Sequence, residues 1–510
     1  MTTPRKEKKK TYGRTARKGA AWSVFRQGGH ELIAVPFSIV MARLLTPAEF
    51  GVSVAASFFV SLAARLTQLG FNAAIVRIKD LRDEHTSSVF FVSLASGIVS
   101  YLVLFAASPL IGRFFQSAEA GALVRVSALV FIISPFGSVA SALITRDMNF
   151  RSMAMADWTD GLVGALATIA LASAGWSYWS IVYGHVLATV VRVGLQMYLA
   201  QWRPSLRFSR SALRELLSYG LGVHTKRLLE YAAANLDTLV VARMVDLTAL
   251  GLYDKAFSTM NRLVNRLTLG QAPFRIFSVI HEDRDRFRRA YARLILSVTM
   301  LGYPALATCI VVASPLFQVL YGPNWQAAVL PFQVLCFGGM LKLLNNYGSQ
   351  ANEAVGAIWH QASRQAVGTV LIVIGAAVGA HYWGIVGASV GVTIAMTILT
   401  LSMQALVRRA TGFSWAGMLA PQVPALACTA VVVAVLLATV RWLATAAPHA
   451  PAWQQLAVSL SAGAIVYVAF VLFIPVAALR ELVNETVADL FPPVAARALH
   501  RLGLVRLSGA

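Results

Sequence analysis

The chain has 510 residues, of which 57% are hydrophobic and only 13% charged, with a mean hydropathy of +0.65. That leaves too little polar surface to cover a soluble globule and places the chain in a bilayer. Forty-four Lys and Arg against 22 Asp and Glu give a formal charge of +22, but the basic residues gather in short segments between apolar runs, as cytoplasmic membrane loops do, which excludes nucleic acid as the partner they serve.

Residues 1-19 hold Arg5, Lys6, Lys8, Lys9, Lys10, Arg14, Arg17 and Lys18. The stretch that follows is too long and too polar for the core of a secretory signal, so it reads as a retained helix behind a basic cytosolic tail. Apolar stretches able to cross a core of about 30 Å then recur at 20-45, 50-71, 87-112, 121-145, 154-174, 178-200, 215-246, 249-272, 290-312, 326-350, 363-380, 384-406, 418-440 and 453-478. With this assignment thirty Lys and Arg fall on one side of the membrane and five on the other, which puts both termini in the cytoplasm. The fold class expected is an all-α polytopic membrane protein of about fourteen transmembrane helices.

Internal repetition divides these spans. Val40, Ala42, Arg43 and Gly51 recur 200 residues later as Val240, Ala242, Arg243 and Gly251; Ala107-Ser-Pro-Leu110 returns as Ala313-Ser-Pro-Leu316, and Trp179-Ser-Ile-Val182 as Trp383-Gly-Ile-Val386. Three matches in order at nearly constant spacing indicate two structural copies. Six spans precede the second copy, so the two six-helix repeats run parallel, with two further C-terminal helices. The division is a basic cytoplasmic tail (1-19), an N-lobe of helices 1 to 6 (20-200), an amphipathic cytoplasmic linker (201-214), a C-lobe of helices 7 to 12 (215-407), helices 13 and 14 (415-478) and an amphipathic cytoplasmic tail (479-510). In the linker, Arg203, Arg207, Arg210 and Arg214 recur at helical spacing.

Apart from the cations at the span ends, which are counted with the loops, nine basic residues fall inside predicted spans: Arg26, Arg65, Arg192, Lys226, Arg227, Lys255, Arg262, Arg266 and Lys342. Each costs roughly 2.5–3.5 kcal/mol on insertion scales unless it faces a wet cavity, a partner or an interface. Arg192 and Lys255 stand near enough to helix ends to snorkel. Arg26 and His30 share one face, Arg262 and Arg266 stack one turn apart, and Lys226 shares a face with Glu230 and Asp237. Arg26, His30, Arg65, Lys226, Arg227, Arg262 and Arg266 are therefore the candidate site for an anionic headgroup arriving from the inner leaflet. The competing reading is a set of internal salt bridges to Glu31, Asp157, Asp160, Glu230, Asp237 and Glu353. Pro36 interrupts the first helix, as a hinge or as a tolerated kink.

Other patterns carry no chemistry. Gly387-Ala-Ser-Val-Gly391 matches a nucleophile elbow but lies within a transmembrane helix, where Gly375, Gly379, Gly387 and Gly391 suit close helix packing. Asp283-Arg-Asp285 has the spacing of a metal ligand pair but sits in an alternating charge run. Cys309, Cys336 and Cys428 lie in apolar runs without metal or disulfide spacing, as buried small hydrophobes. No cofactor, metal or ATP-binding motif is implied, and no enzyme activity.

The run Ala42-Arg-Leu-Leu-Thr-Pro-Ala-Glu-Phe-Gly51 with Leu69-Gly-Phe-Asn-Ala-Ala-Ile-Val-Arg-Ile-Lys-Asp80, and Asn235-Leu-Asp-Thr-Leu-Val-Val-Ala-Arg-Met244 with Ala249-Leu-Gly-Leu-Tyr253, resemble the signatures opening the two halves of bacterial polysaccharide exporters of the Wzx type. These belong to the multidrug/oligosaccharidyl-lipid/polysaccharide (MOP) superfamily. The likeness covers roughly residues 18 to 410 and is nearest to the lipopolysaccharide and colanic acid exporter branch. It implies two lobes around a cavity that opens alternately to either side of the bacterial inner membrane. The substrate implied is an undecaprenyl-pyrophosphate-linked oligosaccharide, with membrane lipids and other polysaccharide-assembly proteins as the further partners. The signature residues Arg43, Gly51, Asp237, Arg243 and Gly251 are expected to be scaffold. A multidrug or cation antiporter of the same superfamily would need an acidic cavity, and a membrane glycan-assembly enzyme would need a large outer loop or an acidic metal site.

Overall fold

The computed structural model describes residues 28–29, 31–67, 75–76, 78, 80–205, 208–209, 235–268, 270 and 272–473, and its regular elements are all helical. They are α1 (31–44), α2 (Pro47–Thr67), α3 (Asp83–Phe114), α4 (Ala118–Ser127), α5 (Val130–Arg146), α6 (Phe150–Ser173), α7 (Trp179–Ala200), α8 (235–244), α9 (Leu247–Arg266), α10 (Ala272–Ile280), α11 (Arg284–Val311), α12 (Ala313–Leu320), α13 (Val329–Ala354), α14 (Ile358–Thr411), α15 (Trp415–Leu419), α16 (Val423–Ala446) and α17 (Ala452–Phe473). Nine helices among the described residues are long and apolar enough to cross a membrane. α6 and α9 fall short of that apolarity because they carry Asp157 and Asp160, and Asp254, Lys255, Arg262 and Arg266. The chain separates into two compact units, Met1–Gly251 and Leu252–Ala510.

In the first unit α2, α3 and α4 meet around Ala55, Ala56, Leu104, Ile111, Leu123 and Phe131. Small residues let the backbones approach: a Cβ on Gly97 would lie 2.2 Å from the Phe131 carbonyl oxygen, and one on Gly184 would lie 2.0 Å from Thr168 Oγ1, which draws α7 against α6. Pro36 lies within α1 without ending it. Residues 201–205 and 208–209 are not helical, while Arg207, Arg210 and Arg214, on which the helical spacing of the linker rests, lie outside the described residues. Pro204 cannot donate a helical hydrogen bond, and the described residues of this segment are pinned to the start of α3. Ser205 Oγ lies 2.6 Å from Ser87 Oγ, the Ser209 N–H donates to Ser88 Oγ at 2.9 Å, and Trp202 packs edge-on against Phe90.

The matched motifs take matching local structure. α1 turns into α2 at Thr46 through a capping box, in which Glu49 Oε2 accepts from the Thr46 N–H and hydroxyl, each at 2.8 Å, and the Glu49 N–H donates to Thr46 Oγ1. At the equivalent point α8 turns into α9, where Asp246 Oδ1 accepts from the Ala249 N–H at 2.6 Å. Both turns satisfy a helix N-terminus, one with a hydroxyl and glutamate and the other with an aspartate. Beyond the two Ala-Ser-Pro-Leu runs the chain enters a left-handed residue at matching places, Gln116 (φ 54) and Gly322 (φ 96). Trp179 opens α7, and Trp383 marks the break in α14.

Two equivalent glycines also meet. A Cβ on Gly51 would lie 1.7 Å from the Leu247 carbonyl oxygen, and one on Gly251 would lie 2.0 Å from that of Pro47. Pro47 and Leu247 are themselves repeat partners, so the contact is reciprocal: each glycine admits the backbone of the residue four places before its counterpart. This crossing lies within the first unit, which ends at Gly251.

In the second unit α14 is two helical arms reversing at Trp383 (φ −135, ψ 24) and Gly384 (φ 56, ψ −141). The arms lie backbone to backbone: Cβ atoms on Gly375 and Gly379 would meet the carbonyl oxygens of Gly391 and Gly387 at 2.6 and 2.0 Å. These glycines thus serve close packing, as expected, and Ser389 is buried and donates to the Ile385 carbonyl within its own helix. The last two long helices join the unit through α11, where Leu296, Met300 and Tyr303 pack on Ala425, Cys428, Val432 and Leu436 of α16. Cys336 and Cys428 are buried, Cys309 is half-buried, and all three are free. Asp283 caps α11 by accepting from the Arg286 N–H, while Asp285 pairs with Arg288 at 3.2 Å. Both carboxylates of the Asp-Arg-Asp run therefore have structural work.

Candidate functional site

Of the seven candidate headgroup residues, Arg26, His30, Lys226 and Arg227 lie outside the described residues. Arg65 ends α2 in an exposed position of the first unit, and Arg262 and Arg266 lie exposed on α9 in the second. Arg65 and Arg266 each occupy the last turn of a helix, where a cation also complements the helix dipole.

α9 separates its charges from its apolar residues. Leu252, Tyr253, Ala256, Met260 and Val264 are buried at three- and four-residue spacing, so one stripe packs into the unit. The other side carries Ser258, Asn261, Arg262, Asn265 and Arg266, half-buried or exposed. α13 adds a cation to this side. Lys342 Nζ donates to Asn261 Oδ1 at 2.7 Å and stands 5.7 Å from the centroid of the Phe257 ring. Arg262 makes no hydrogen bond or ion pair among the described residues. The result is a row of donors, two guanidinium groups, an ammonium and side-chain amides, set against the buried apolar stripe. Guanidinium groups grip phosphate oxygens two at a time and an ammonium adds a point charge, so this row has the chemistry for an anionic group.

Two snorkelling expectations are corrected. Lys255 is 2% exposed, with Nζ 5.0 Å from the Tyr321 ring and 5.1 Å from the Trp325 ring. The faces of two aromatic rings hold the ammonium inside the second unit, where reaching the surface would forfeit both cation–π contacts. Arg192 turns toward α6, its Nε 3.6 Å from Asp160 Oδ1, because a carboxylate within reach offsets more of its desolvation than a longer path to the headgroups. That pair realises the salt-bridge alternative for one of the nine cations. Lys342 is the contributor that the sequence reading left off the headgroup set. Its position within a predicted span was the signal, but its bond to Asn261, 81 residues away, has no trace in local sequence.

At the other end of α2, Glu49 also receives a hydrogen bond from Ser177 Oγ. Arg43, directly after the buried Met41 and Ala42, is exposed and Asp237 is 3% exposed.

A family profile described as Polysaccharide biosynthesis protein matches residues 40–330. The lipopolysaccharide biosynthesis protein WzxC of Escherichia coli (strain K12) is 23% identical over 396 residues, covering 75% of this chain and 79% of its own. The teichuronic acid biosynthesis protein TuaB of Bacillus subtilis (strain 168) is 22% identical over 338 residues, 64% of this chain and 69% of its own. Among solved structures, the lipid II flippase MurJ in an inward closed conformation superposes with a TM-score of 0.68 at 11% identity, covering 88% of this chain and 98% of that one. An inward-facing multidrug resistance MATE family transporter of the MOP superfamily gives 0.58 at 16% identity, with 75% and 94% covered. At these identities the two structures establish a shared fold.

Proposed function

The chain belongs to the polysaccharide biosynthesis protein family, as a multi-pass flippase-type membrane transporter of the MOP superfamily, and we propose that its cargo is an undecaprenyl-pyrophosphate-linked oligosaccharide carried from the cytoplasmic to the periplasmic leaflet. The observation that carries this reading is the basic row on α9 and α13. Arg262, Arg266 and Lys342 stand on helices of a membrane protein, on the side opposite a buried stripe, where only an anionic partner or water justifies their desolvation. A pyrophosphate brings at least two negative charges and oxygens suited to such donors. Arg26, His30, Arg65, Lys226 and Arg227 complete the headgroup site, in two six-helix lobes of a fourteen-helix fold whose cavity opens alternately to the two sides. Both termini lie in the cytoplasm. A cation antiporter on the same fold would place acids where this row places bases, and the sign of the row counts against it.

In a strain deleted for the gene, surface polysaccharide should fall and lipid-linked repeat units should accumulate. Wild-type protein restores export; Arg262→Glu, Lys342→Glu and Arg266→Glu at matched protein level do not, and Arg262→Lys restores more than Arg262→Ala. Full export from all three Glu variants would remove the basic row from the mechanism.

A further inference from the structure

A second group of cations lies in the first unit, apart from the residues assigned to the headgroup site. Of the five Lys and Arg that the charge balance leaves on the outer side, four belong to this unit: Arg43, Arg113, Arg125 and Arg243. Short outer connections carry few cations as a rule, so four on one unit need a reason. The chain path gathers them. The reciprocal crossing of Gly51 on Leu247 and of Gly251 on Pro47 puts the starts of α2 and α9 in backbone contact, and Arg43 and Arg243 each stand four residues before it. Arg243 Cζ lies 5.7 Å from the centroid of the Phe114 ring, and Phe114 follows Arg113 in the last turn of α3. Arg125, on α4, is hydrogen-bonded to Ser108 and lies over the Phe105 ring, both on α3.

These four differ in what they already do. Arg125 is taken up by Ser108 and Phe105, and Arg43 is engaged elsewhere. Arg113 and Arg243 are exposed, and neither makes a hydrogen bond or ion pair among the described residues. The acids of this end are spent at helix starts. Glu49 Oε2 accepts from the Thr46 N–H, Asp246 Oδ1 from the Ala249 N–H, and Glu119 Oε2 from Ser117 Oγ, whose own oxygen caps α4. A ring contact occupies the face of a guanidinium and steadies it, but leaves its five N–H donors unpaired. Gly51 and Gly251 meet the scaffold role expected of the signature, whereas the contact of Arg243 with one exposed ring pairs none of its donors.

We propose that Arg113 and Arg243, with Arg43 adding its charge, form a release site that holds the pyrophosphate of the lipid-linked oligosaccharide as it emerges into the periplasmic leaflet. Two guanidinium groups match two phosphoryl groups, each able to take a pair of oxygens. An anion bound by cations at membrane depth loses that pairing on leaving, and a second set of cations at the exit offsets part of the loss. In the orientation proposed above this end of the first unit faces the periplasm, so the release role rests on that orientation and on the glycan cargo.

The test has a binding arm and a transport arm. In the first, the full chain carrying Arg262→Glu and Lys342→Glu, which disable the row on α9 and α13, is placed in phosphatidylcholine nanodiscs. Binding of a fluorescent short-chain polyprenyl-pyrophosphate-linked disaccharide is then followed by anisotropy. Saturable binding should remain in this background and weaken about tenfold with Arg113→Gln or Arg243→Gln. It should be partly kept in Arg243→Lys and unchanged in Arg441→Gln, which removes an outer cation of the second unit. Arg113→Gln breaks no hydrogen bond or ion pair among the described residues and should leave the thermal midpoint in place, so it decides the site even where the Arg243 variants do not accumulate. Binding that is absent in this background, indifferent to Arg113→Gln, or weakened equally by Arg441→Gln overturns the site. Binding lost when phosphatidylglycerol replaces phosphatidylcholine assigns the arginines to bulk anionic phospholipid and overturns it as well. In the second arm, Arg113→Gln with Arg243→Gln in the otherwise wild-type chain should slow flipping of an undecaprenyl-pyrophosphate-linked disaccharide in proteoliposomes. A wild-type rate in that variant overturns the release role alone, whereas a wild type that neither binds nor flips the lipid-linked disaccharide overturns the cargo reading and the release site with it.

Discussion

Replacing Gly51 or Gly251 with Ala should destabilise the protein by an amount that the reciprocal crossing sets. The added Cβ would stand 1.7 Å from the Leu247 carbonyl oxygen in one case and 2.0 Å from the Pro47 oxygen in the other. An unstrained contact is about 3.5 Å, so the helix starts must separate by more than 1 Å, and neither neighbour is a side chain that can rotate away. Overpacking of this kind costs about 1–3 kcal/mol and occasionally more, against a gain of up to about 1 kcal/mol for Ala over Gly within a helix. The assay is thermal unfolding of the purified chain in detergent, with Gly194→Ala as the control: it lies in α7 with nothing within 4 Å of its Cβ and should be neutral or slightly stabilising. Gly51→Ala and Gly251→Ala should each lower the midpoint by several degrees. The double variant should lower it by less than their sum, because the first Cβ already parts the helices that the second would strain. If both variants behave like Gly194→Ala, or if their effects add, the two glycines do not share one crossing.

Other consequences can be checked separately. Cysteine labelling should find the loops at 77-86, 201-214 and 281-289 on the cytoplasmic side and those at 113-120 and 321-325 outside; any of the first three reached from the periplasm breaks the orientation. Arg288 donates from Nε at 3.1 Å and Nη2 at 2.8 Å to the Thr411 carbonyl at the end of α14, so Arg288→Ala should cost about 1–2 kcal/mol of stability in thermal unfolding, with partial recovery in Arg288→Lys. Glu49 accepts from the Thr46 N–H and hydroxyl and from Ser177 Oγ, so Glu49→Ala should lower the midpoint of thermal unfolding, and Ser177→Ala, which removes one of these bonds, should lower it by less.

Much of the fold was legible because it is written in local pattern. Apolar runs of bilayer length mark α3, α11, α13, α16 and α17, and the repeat aligns Thr46 with Asp246, two residues with different chemistry that both cap the helix that follows. The glycine pairs 375/391 and 379/387 were legible as packing residues because small side chains at four-residue spacing on apolar helices have few other uses. What the sequence withheld is long-range. That Gly51 meets Leu247, that Asn261 holds Lys342 and that two rings box Lys255 are facts about residues tens to hundreds of places apart. Hydropathy weighs each charge alone, so it sent Arg192 toward a helix end when Asp160 on the neighbouring helix was the nearer relief.

The most direct measurement is transport by the purified chain alone. Proteoliposomes containing the full-length protein and a fluorescent undecaprenyl-pyrophosphate-linked disaccharide are exposed to a membrane-impermeant quencher, and the protected fraction is followed with time. Wild-type protein should render label in the inner leaflet accessible far faster than empty vesicles do, and Arg262→Glu combined with Lys342→Glu should return the rate to that of empty vesicles. No acceleration by the wild type, or acceleration that survives both charge reversals, would contradict flipping through the basic row on α9 and α13.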